Sequence, residues 1–265
     1  IKAATRNHDL VARFGGDEFC VVTSLNSRDE ARHLAQRIMQ RMKEPIDLGG
    51  RRMVMTTSIG ISIFPDDGST AEELLKHADL ALYQSKDNGR NSLNFFNDSL
   101  KARASIALQL EEELRLALLE ERGLCVHYQP IFDLRSGQVA KLEALVRWQH
   151  PQHGLLGPDR FVGIAEANGL IIDLDLWVLR HACADLAHLQ RHGYGEVQVT
   201  VNCSAVTLSH DELPNEVEKA LFHAGLAPRH LELEVTENAL VGDIQRTVSL
   251  LKRVRALGVA LSIDD

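Results

Sequence analysis

Oxygen-bearing side chains recur at matched places in four apolar, strand-like segments of the sequence. In residues 141–148, apolar side chains alternate strictly with a polar series that contains Glu143, as they do along a β-strand. An unpaired buried carboxylate is costly, so a surface pair between Glu143 and Arg147 would be the simplest interpretation of this segment alone. The later segments repeat the design, which favours a shared site. Its candidate residues are Glu143, Asn202, Glu234, Asp264 and Asp265.

The sequence between these segments indicates how the side chains come together. Helical patterns separate the strands at a repeat of roughly thirty residues, which is typical of βα units around a parallel sheet. In a closed barrel of such units, the carboxyl ends of the strands form the active face. Oxygen ligands without histidine or thiolate suit Mg²⁺ or Mn²⁺ better than zinc. The sequence therefore predicts a site for a hard divalent cation.

Composition narrows the class of protein. The chain has 265 residues, a hydrophobic content of 45% and a net charge of −8. This size indicates one or two domains, and the negative charge argues against a nonspecific nucleic-acid surface. The four cysteines lie in apolar segments without C-x-x-C spacing, as in a reduced cytoplasmic protein. We find no signal peptide or transmembrane run, so any inner-membrane anchor is expected outside these residues.

A glycine-rich turn is the main motif near the beginning of the chain. Segments 10–14 and 19–22 flank it, and together they predict a β-hairpin. Acidic residues at a tight turn commonly just face solvent. Alternatively, glycine lets the backbone approach a nucleotide closely while the acids hold a metal beside its phosphates. The four turn residues are Gly15, Gly16, Asp17 and Glu18.

Several spaced motifs resemble those of the EAL domain, a family of metal-dependent phosphodiesterases that open cyclic di-GMP. They are Glu143-Ala144-Leu145, Val201-Asn202-Cys203-Ser204, Glu234-Val235-Thr236-Glu237 and Asp264-Asp265. Upstream, Gly15-Gly16-Asp17-Glu18-Phe19 resembles the signature of GGDEF diguanylate cyclases. The chain is thus similar to GGDEF–EAL tandem proteins of cyclic di-GMP turnover.

The resemblance implies an α/β fold class with two unlike parts. Residues 1–97 would form the C-terminal part of a GGDEF α+β domain, and residues 98–122 a connecting helix. Residues 123–265 would form a TIM-type (β/α)8 barrel, truncated at its C-terminus. Segments typical of both families are expected to lie before Ile1 and after Asp265. We therefore expect residues 1–265 alone to turn over neither GTP nor cyclic di-GMP.

The resemblance also assigns roles in the EAL part. Glu143, Asn202, Glu234 and Asp264 would ligate one metal, and Asp264 and Asp265 would serve a second, where Asp265 would also act in catalysis. Glu237 would support the adjacent loop. Substrate contacts would come from Gln129, Leu145 and Arg147.

In the GGDEF part, Asp17 and Glu18 would be catalytic, and Gly15, Gly16, Lys86 and Arg90 would bind GTP. From their positions alone, Lys86 and Arg90 would be solvated cations near a helix C-terminus, where the helix dipole favours them. The spacing of Arg6 and Asp9 ahead of the glycines resembles the R-x-x-D inhibitory site that binds cyclic di-GMP.

The resemblance implies hydrolysis of cyclic di-GMP to linear pGpG in the parent protein, with Mg²⁺ or Mn²⁺ as cofactor. The GGDEF part would be a cyclase or a GTP-sensing regulator, and a homodimer is expected. The alternative class is a non-catalytic cyclic di-GMP receptor. Such receptors usually lose metal ligands, whereas the ligand positions within this sequence are filled, which favours the enzyme.

Overall fold

The computed structural model describes residues 1–87, 89–194, 197–236 and 244–264. The chain divides into two compact units, Ile1–Ile106 and Ala107–Asp265. No helix in these described ranges combines the length and apolar character that crossing a bilayer requires.

The first unit contains short strands and two main helices. Its hairpin of β1 and β2 is antiparallel and places Gly15 opposite Glu18, as the glycine-rich turn predicted. A second hairpin joins β3 and β4, whereas β5 and β6 are parallel and are connected through α2. The elements are β1 Leu10–Gly15, β2 Glu18–Val22, α1 Arg28–Met42, β3 Ile46–Leu48, β4 Arg51–Met53, β5 Ile59–Ile61, α2 Ala71–Asp87 and β6 Leu93–Phe95.

Local side chains define where the helices of this unit begin and how closely they pack. The hydroxyl of Ser27 accepts a hydrogen bond from the Glu30 amide at 3.2 Å and caps α1. Gly60 lies in β5 against α2, where a Cβ atom would overlap the carbonyl oxygen of Ala78 and the backbone of Leu82. Glycine is therefore required for this close approach of strand and helix.

A long helix, α3, spans Asp98–Glu120. Asn97 caps it, because its side-chain oxygen accepts a hydrogen bond from the Leu100 amide at 3.2 Å. The division between the two units falls within this helix.

The second unit is built on one six-stranded sheet. The strand order is β12-β11-β10-β8-β7, and β9 pairs with β8. Strands β8, β10, β11 and β12 are mutually parallel, as βα repeats require. The elements are β7 Leu124–Phe132, β8 Val139–His150, β9 Gly154–Leu156, α4 Val162–Ala167, α5 Ile171–Arg191, β10 Gln198–Cys203, α6 Ala205–Leu208, α7 Leu213–Ala224, β11 Leu231–Thr236, α8 Ile244–Ala256 and β12 Ala260–Asp264.

The strand β7 does not follow the parallel pattern of the four site-bearing strands. It is antiparallel to β8, and β9 is antiparallel to β8 as well. The cause is chain length: residues 133–138, with a turn at Gly137, are too few for a crossover to a parallel strand.

The core lies between the sheet and its helices. Alternate residues of β10 and β11, such as Val199 and Leu231, are fully buried against α5, α7 and α8. The intervening residues of both strands lie on the other face, called here the inner face. Because strand side chains alternate, the apolar packing of one face aligns the polar residues on the other. The inner face of the four parallel strands carries the candidate site.

Candidate metal centre and nucleotide sites

Four parallel strands bring polar side chains together on the inner face. Asn202 of β10 lies opposite Glu234 of β11 in the strand register. Glu143 of β8 lies opposite Thr200, two residues before Asn202, and the Asn202 amide donates a hydrogen bond to its Oε1 at 3.1 Å. Asp264 of β12 lies opposite Thr236, two residues beyond Glu234. We call Glu143, Asn202, Glu234 and Asp264 the oxygen cluster.

Electrostatics within the oxygen cluster favours a cation. Desolvation raises the pKa of Glu234, and the negative charges of Asp264 and Glu143 raise it further. The charge of Lys141 acts in the opposite direction, lowering the same pKa. A carboxylate whose pKa is raised by neighbouring negative charge is stabilised in its ionised form by a bound cation.

The donor set fits a hard divalent cation. It consists of carboxylate and amide oxygens, which are the ligands that Mg²⁺ and Mn²⁺ prefer. Across the described ranges, no three His, Cys, Asp or Glu side chains form a ready-made metal cage. Asn202 would contribute an amide oxygen in addition to these four residue types. The predicted ligand Asp265 lies outside the described residues. The same holds for the predicted loop residue Glu237.

One predicted position needs correction. The sequence placed Glu143 near the C-terminal end of a strand, but β8 continues to His150. The parallel pairing of β8 with β10 covers only Lys141–Ala144, after which β8 pairs with β9. Glu143 therefore lies near the end of the section that pairs in parallel with β10, and β8 continues beyond it as a partner of β7 and β9.

The predicted substrate residues lie along the same face of β7 and β8. Gln129 is opposite Glu143 in the antiparallel register. Leu145 and Arg147 follow Glu143 at intervals of two residues, so they share its face. The guanidinium of Arg147 donates to the Val146 carbonyl at 2.8 Å. The structure thus aligns these three residues beside the oxygen cluster.

Sequence reasoning missed two polar contacts beside the oxygen cluster. Asp175 of α5 accepts a hydrogen bond from the Ser204 amide at 2.9 Å, which anchors the chain just after Asn202. Burial raises the pKa of Asp175. The second contact is an ion pair between Lys141 and Glu232. The sequence could have indicated this pair, because Lys141 and Glu232 both belong to the polar series of their strands.

In the first unit, the structure places the GGDEF-like residues on an ordered turn. Gly16 adopts a φ of 49°, and the Arg13 guanidinium donates to its carbonyl at 2.9 and 2.6 Å. Asp17 and Glu18 are exposed at the tip of this hairpin. Exposed carboxylates on a constrained turn are accessible to a ligand.

The predicted nucleotide contacts Lys86 and Arg90 lie at the C-terminal end of α2. Lys86 is exposed in the last turn of α2, but the helix ends at Asp87. Arg90 lies beyond it with a φ of 60°, and its amide donates to the Lys86 carbonyl at 3.3 Å. Lys86 and Arg90 are thus one turn apart at the end of α2, with Arg90 in the left-handed region.

Arg6 and Asp9 lie at a pocket that Thr23, Glu30, His33 and Arg37 also line. The Asp9 carboxylate accepts hydrogen bonds from the Thr23 hydroxyl and the Arg6 amide, each at 2.6 Å. The Thr23 bond is the main cause that lowers the pKa of Asp9. Half of the Arg6 side chain remains exposed. The pair therefore combines a fixed carboxylate with an accessible guanidinium.

Comparison with known families assigns a domain to each part of the chain. The family model described as EAL domain matches residues 111–265, and the one described as diguanylate cyclase, GGDEF domain, matches residues 1–92. The chain belongs to the EAL domain family, and the GGDEF match covers the residues that precede the EAL match. EAL phosphodiesterases generally use divalent metal ions.

Two curated relatives come from Pseudomonas aeruginosa. The chain is 57% identical to cyclic di-GMP phosphodiesterase NbdA, over 100% of this chain and 34% of that protein. It is 40% identical to the bifunctional diguanylate cyclase/cyclic di-GMP phosphodiesterase MucR, over 100% of this chain and 38% of that protein. The chain thus spans little more than a third of the length of these relatives.

Solved structures support the fold. A PaMucR phosphodiesterase in complex with c-di-GMP is 41% identical, with a TM-score of 0.56 over 59% of this chain and 63% of that one. The EAL enzyme Bd1971, bound to cAMP and cyclic di-GMP, is 22% identical, with a TM-score of 0.57 over 93% of this chain and 56% of that one. Both neighbours are EAL proteins, whose fold is of the TIM-barrel type.

Proposed function

We propose that the protein hydrolyses cyclic di-GMP to linear pGpG at the oxygen cluster. The observation that carries this proposal is the convergence of Glu143, Asn202, Glu234 and Asp264 from four neighbouring strands. Clustered carboxylates are costly without a cation, so their retention on one face favours a catalytic metal site over a receptor that only binds ligand. The 57% identity to a cyclic di-GMP phosphodiesterase supports the same reaction.

The residues of the chain have distinct tasks in this proposal. The oxygen cluster would hold Mg²⁺ or Mn²⁺, together with Asp265 at a second metal. Bound divalent cations supply an activated water and stabilise charge on the phosphate. The amide of Asn202 orients the carboxylate of Glu143 through its hydrogen bond. Gln129, Leu145 and Arg147 would position the dinucleotide along the inner face, and Glu237 would support the following loop.

The first unit would bind nucleotide as well. Gly15, Gly16, Asp17 and Glu18 would contact GTP, with Lys86 and Arg90 nearby, and this part would act as a cyclase or as a GTP-sensing regulator. Arg6 and Asp9 would bind cyclic di-GMP as an inhibitory site. We further propose domain limits of 1–97, 98–122 and 123–265, a homodimer, and a cytoplasmic location for these domains.

The test is a Glu143→Ala variant of the full-length protein, assayed for pGpG formation with Mn²⁺ or Mg²⁺. Removing this ligand should lower kcat by on the order of 10² or more, since loss of a positioned metal or charge-stabilising group has effects of that size. Glu218→Ala, which removes an exposed glutamate on α7, is the matched control and should retain activity. Undiminished turnover by Glu143→Ala would refute the proposed site.

A further inference from the structure

The inner face carries a carboxylate, Glu232 of β11, that belongs to no predicted ligand set. In the strand register, Glu143 and Glu232 lie on opposite sides of the same residue, Thr200 of β10. They therefore occupy one row across the sheet, separated by two strand spacings of roughly 4.8 Å each. Glu232 also precedes Glu234 by two residues, so both carboxylates lie on the inner face.

The two carboxylates of this row turn in opposite directions. Glu143 accepts from Asn202, which lies two residues further along β10 than Thr200. Glu232 contacts the ammonium of Lys141, which lies two residues nearer the beginning of β8 than Glu143. Glu143 thus leans toward the oxygen cluster, and Glu232 leans away from it.

Burial strengthens the electrostatic interaction between Lys141 and Glu232. The Glu232 side chain is 9% exposed and that of Lys141 is 33% exposed. The hydroxyl of Thr200, which is buried between Glu143 and Glu232, has no hydrogen-bond partner in the described part of the chain. Thr200 therefore does not hold Glu232 in place. A buried carboxylate deprived of its cation would be left with a large desolvation cost and an unbalanced charge beside the oxygen cluster.

We propose that Lys141 is a positioning residue that neutralises Glu232 and so confines the cation site to the oxygen cluster. Without Lys141, Glu232 would offer a further oxygen ligand nearer the N-terminal ends of the strands than the oxygen cluster. The cation would then be attracted away from Glu143 and Asp264, where the scissile phosphate is expected. This inference rests on the function proposed above.

A simpler role for the pair would be mechanical, because it connects β8 to β11 across β10. The two roles predict different changes in cation affinity when one residue of the pair is removed. As a mechanical connection, either residue would be needed equally, and losing either would weaken the site. As charge neutralisation, removing Lys141 leaves an extra negative charge, whereas removing Glu232 leaves an extra positive charge. These changes should shift cation affinity in opposite directions.

The experiment is calorimetric titration of Mn²⁺ into the full-length protein without nucleotide, using Lys141→Met, Glu232→Gln and the double variant. We expect Lys141→Met to tighten Mn²⁺ binding about three- to tenfold and Glu232→Gln to weaken it by a similar factor. The double variant should return to within about twofold of the wild type, since neither charge remains unbalanced. Lys141→Arg, which keeps the charge, should behave as the wild type.

Turnover of cyclic di-GMP supplies the second measurement. In Lys141→Met, kcat should fall although Mn²⁺ binds more tightly, a combination that a purely mechanical role would not produce. Lys219→Met, which breaks an exposed ion pair with Glu216 on α7, is the matched control and should change neither quantity. Thermal unfolding without Mn²⁺ confirms that each variant is folded.

Three outcomes would overturn the inference. Unchanged Mn²⁺ affinity in both single variants would show that the pair does not act on the cation. Weaker binding in both, without recovery in the double variant, would assign the pair a mechanical role. If the wild type itself shows no saturable Mn²⁺ binding, or if Glu143→Ala binds as well as the wild type, the proposed metal site fails and this inference fails with it.

Discussion

The side-chain amide of Asn202 donates a hydrogen bond to the carboxylate of Glu143 at 3.1 Å, across 59 residues of sequence. This contact leaves the amide oxygen of Asn202 and the second carboxylate oxygen of Glu143 available as ligands, and it fixes their orientation. Preorganised ligands of this kind bind a cation without first having to rearrange.

We first predict that this hydrogen bond matters for activity. Asn202→Ala should lower kcat/KM for cyclic di-GMP by about 10- to 100-fold, because it removes one ligand and frees the Glu143 carboxylate. Steady-state kinetics at several Mn²⁺ concentrations would measure this decrease in kcat/KM. Asn215→Ala, an amide on the exposed part of α7, is the control. If Asn202→Ala and the control retain equal activity, Asn202 is not part of the site.

The second prediction concerns stability in the presence of cation. Binding to the folded state alone stabilises a protein, by about 2.7 kcal/mol at a ligand concentration of 100 Kd. Mn²⁺ or Mg²⁺ should therefore raise the Tm of the wild type. The same addition should have little effect on Glu234→Gln, which lacks one charged ligand. An equal rise in Tm for both proteins would indicate that the cation binds elsewhere.

The third prediction uses the raised pKa of Asp175. A carboxyl whose pKa is higher in the folded state binds more protons there than in the unfolded state. The free energy of unfolding should therefore decrease as pH rises from the usual aspartate value of 3.8 through the raised value. Asp175→Asn keeps an oxygen that can accept from Ser204 but removes this titration.

Urea unfolding of Asp175→Asn and the wild type between pH 4 and 7 would test this, following a spectroscopic probe in the second unit. The difference in stability between the two proteins should change in favour of the variant as pH rises. A difference that stays constant across this range would mean that Asp175 titrates normally.

A fourth prediction concerns the first unit. Gly60→Ala should destabilise it by about 1–3 kcal/mol, because the new Cβ atom would force β5 and α2 apart. Hydrogen exchange in α2 should then become faster. Gly163→Ala is the matched control, since a Cβ atom there meets nothing within 4 Å and alanine favours the helix. Slow exchange in both variants would show that the strand can shift at little cost.

The last prediction addresses the pocket at Arg6. In a Glu143→Ala background with Ca²⁺, cyclic di-GMP should bind the full-length protein at a site that Arg6→Ala removes, since Arg forms paired hydrogen bonds with phosphate. Calorimetry would detect the lost event. Arg41→Ala, at an exposed ion pair on α1, is the control. An isotherm unchanged by Arg6→Ala would mean that Arg6 and Asp9 form only a structural turn.

Strand alternation allowed much of this protein to be predicted from its sequence. The alternating pattern around Glu143, Asn202, Glu234 and Asp264 identified the polar face of each strand, because side-chain direction in a strand follows sequence parity. Helix limits set by caps and glycines were also predictable, because a cap such as Asn97 before α3 contacts residues close to it in sequence.

Tertiary structure decided what depends on register and chain direction. The sequence contained Lys141 and Glu232, but only the register around Thr200 brings them into contact and turns Glu232 away from Glu143. Likewise, the antiparallel direction of β7 and the continuation of β8 past Glu143 depend on pairing between segments. Local sequence specifies which face a side chain occupies, whereas its neighbours on that face are determined by hydrogen bonding between strands that are distant in sequence.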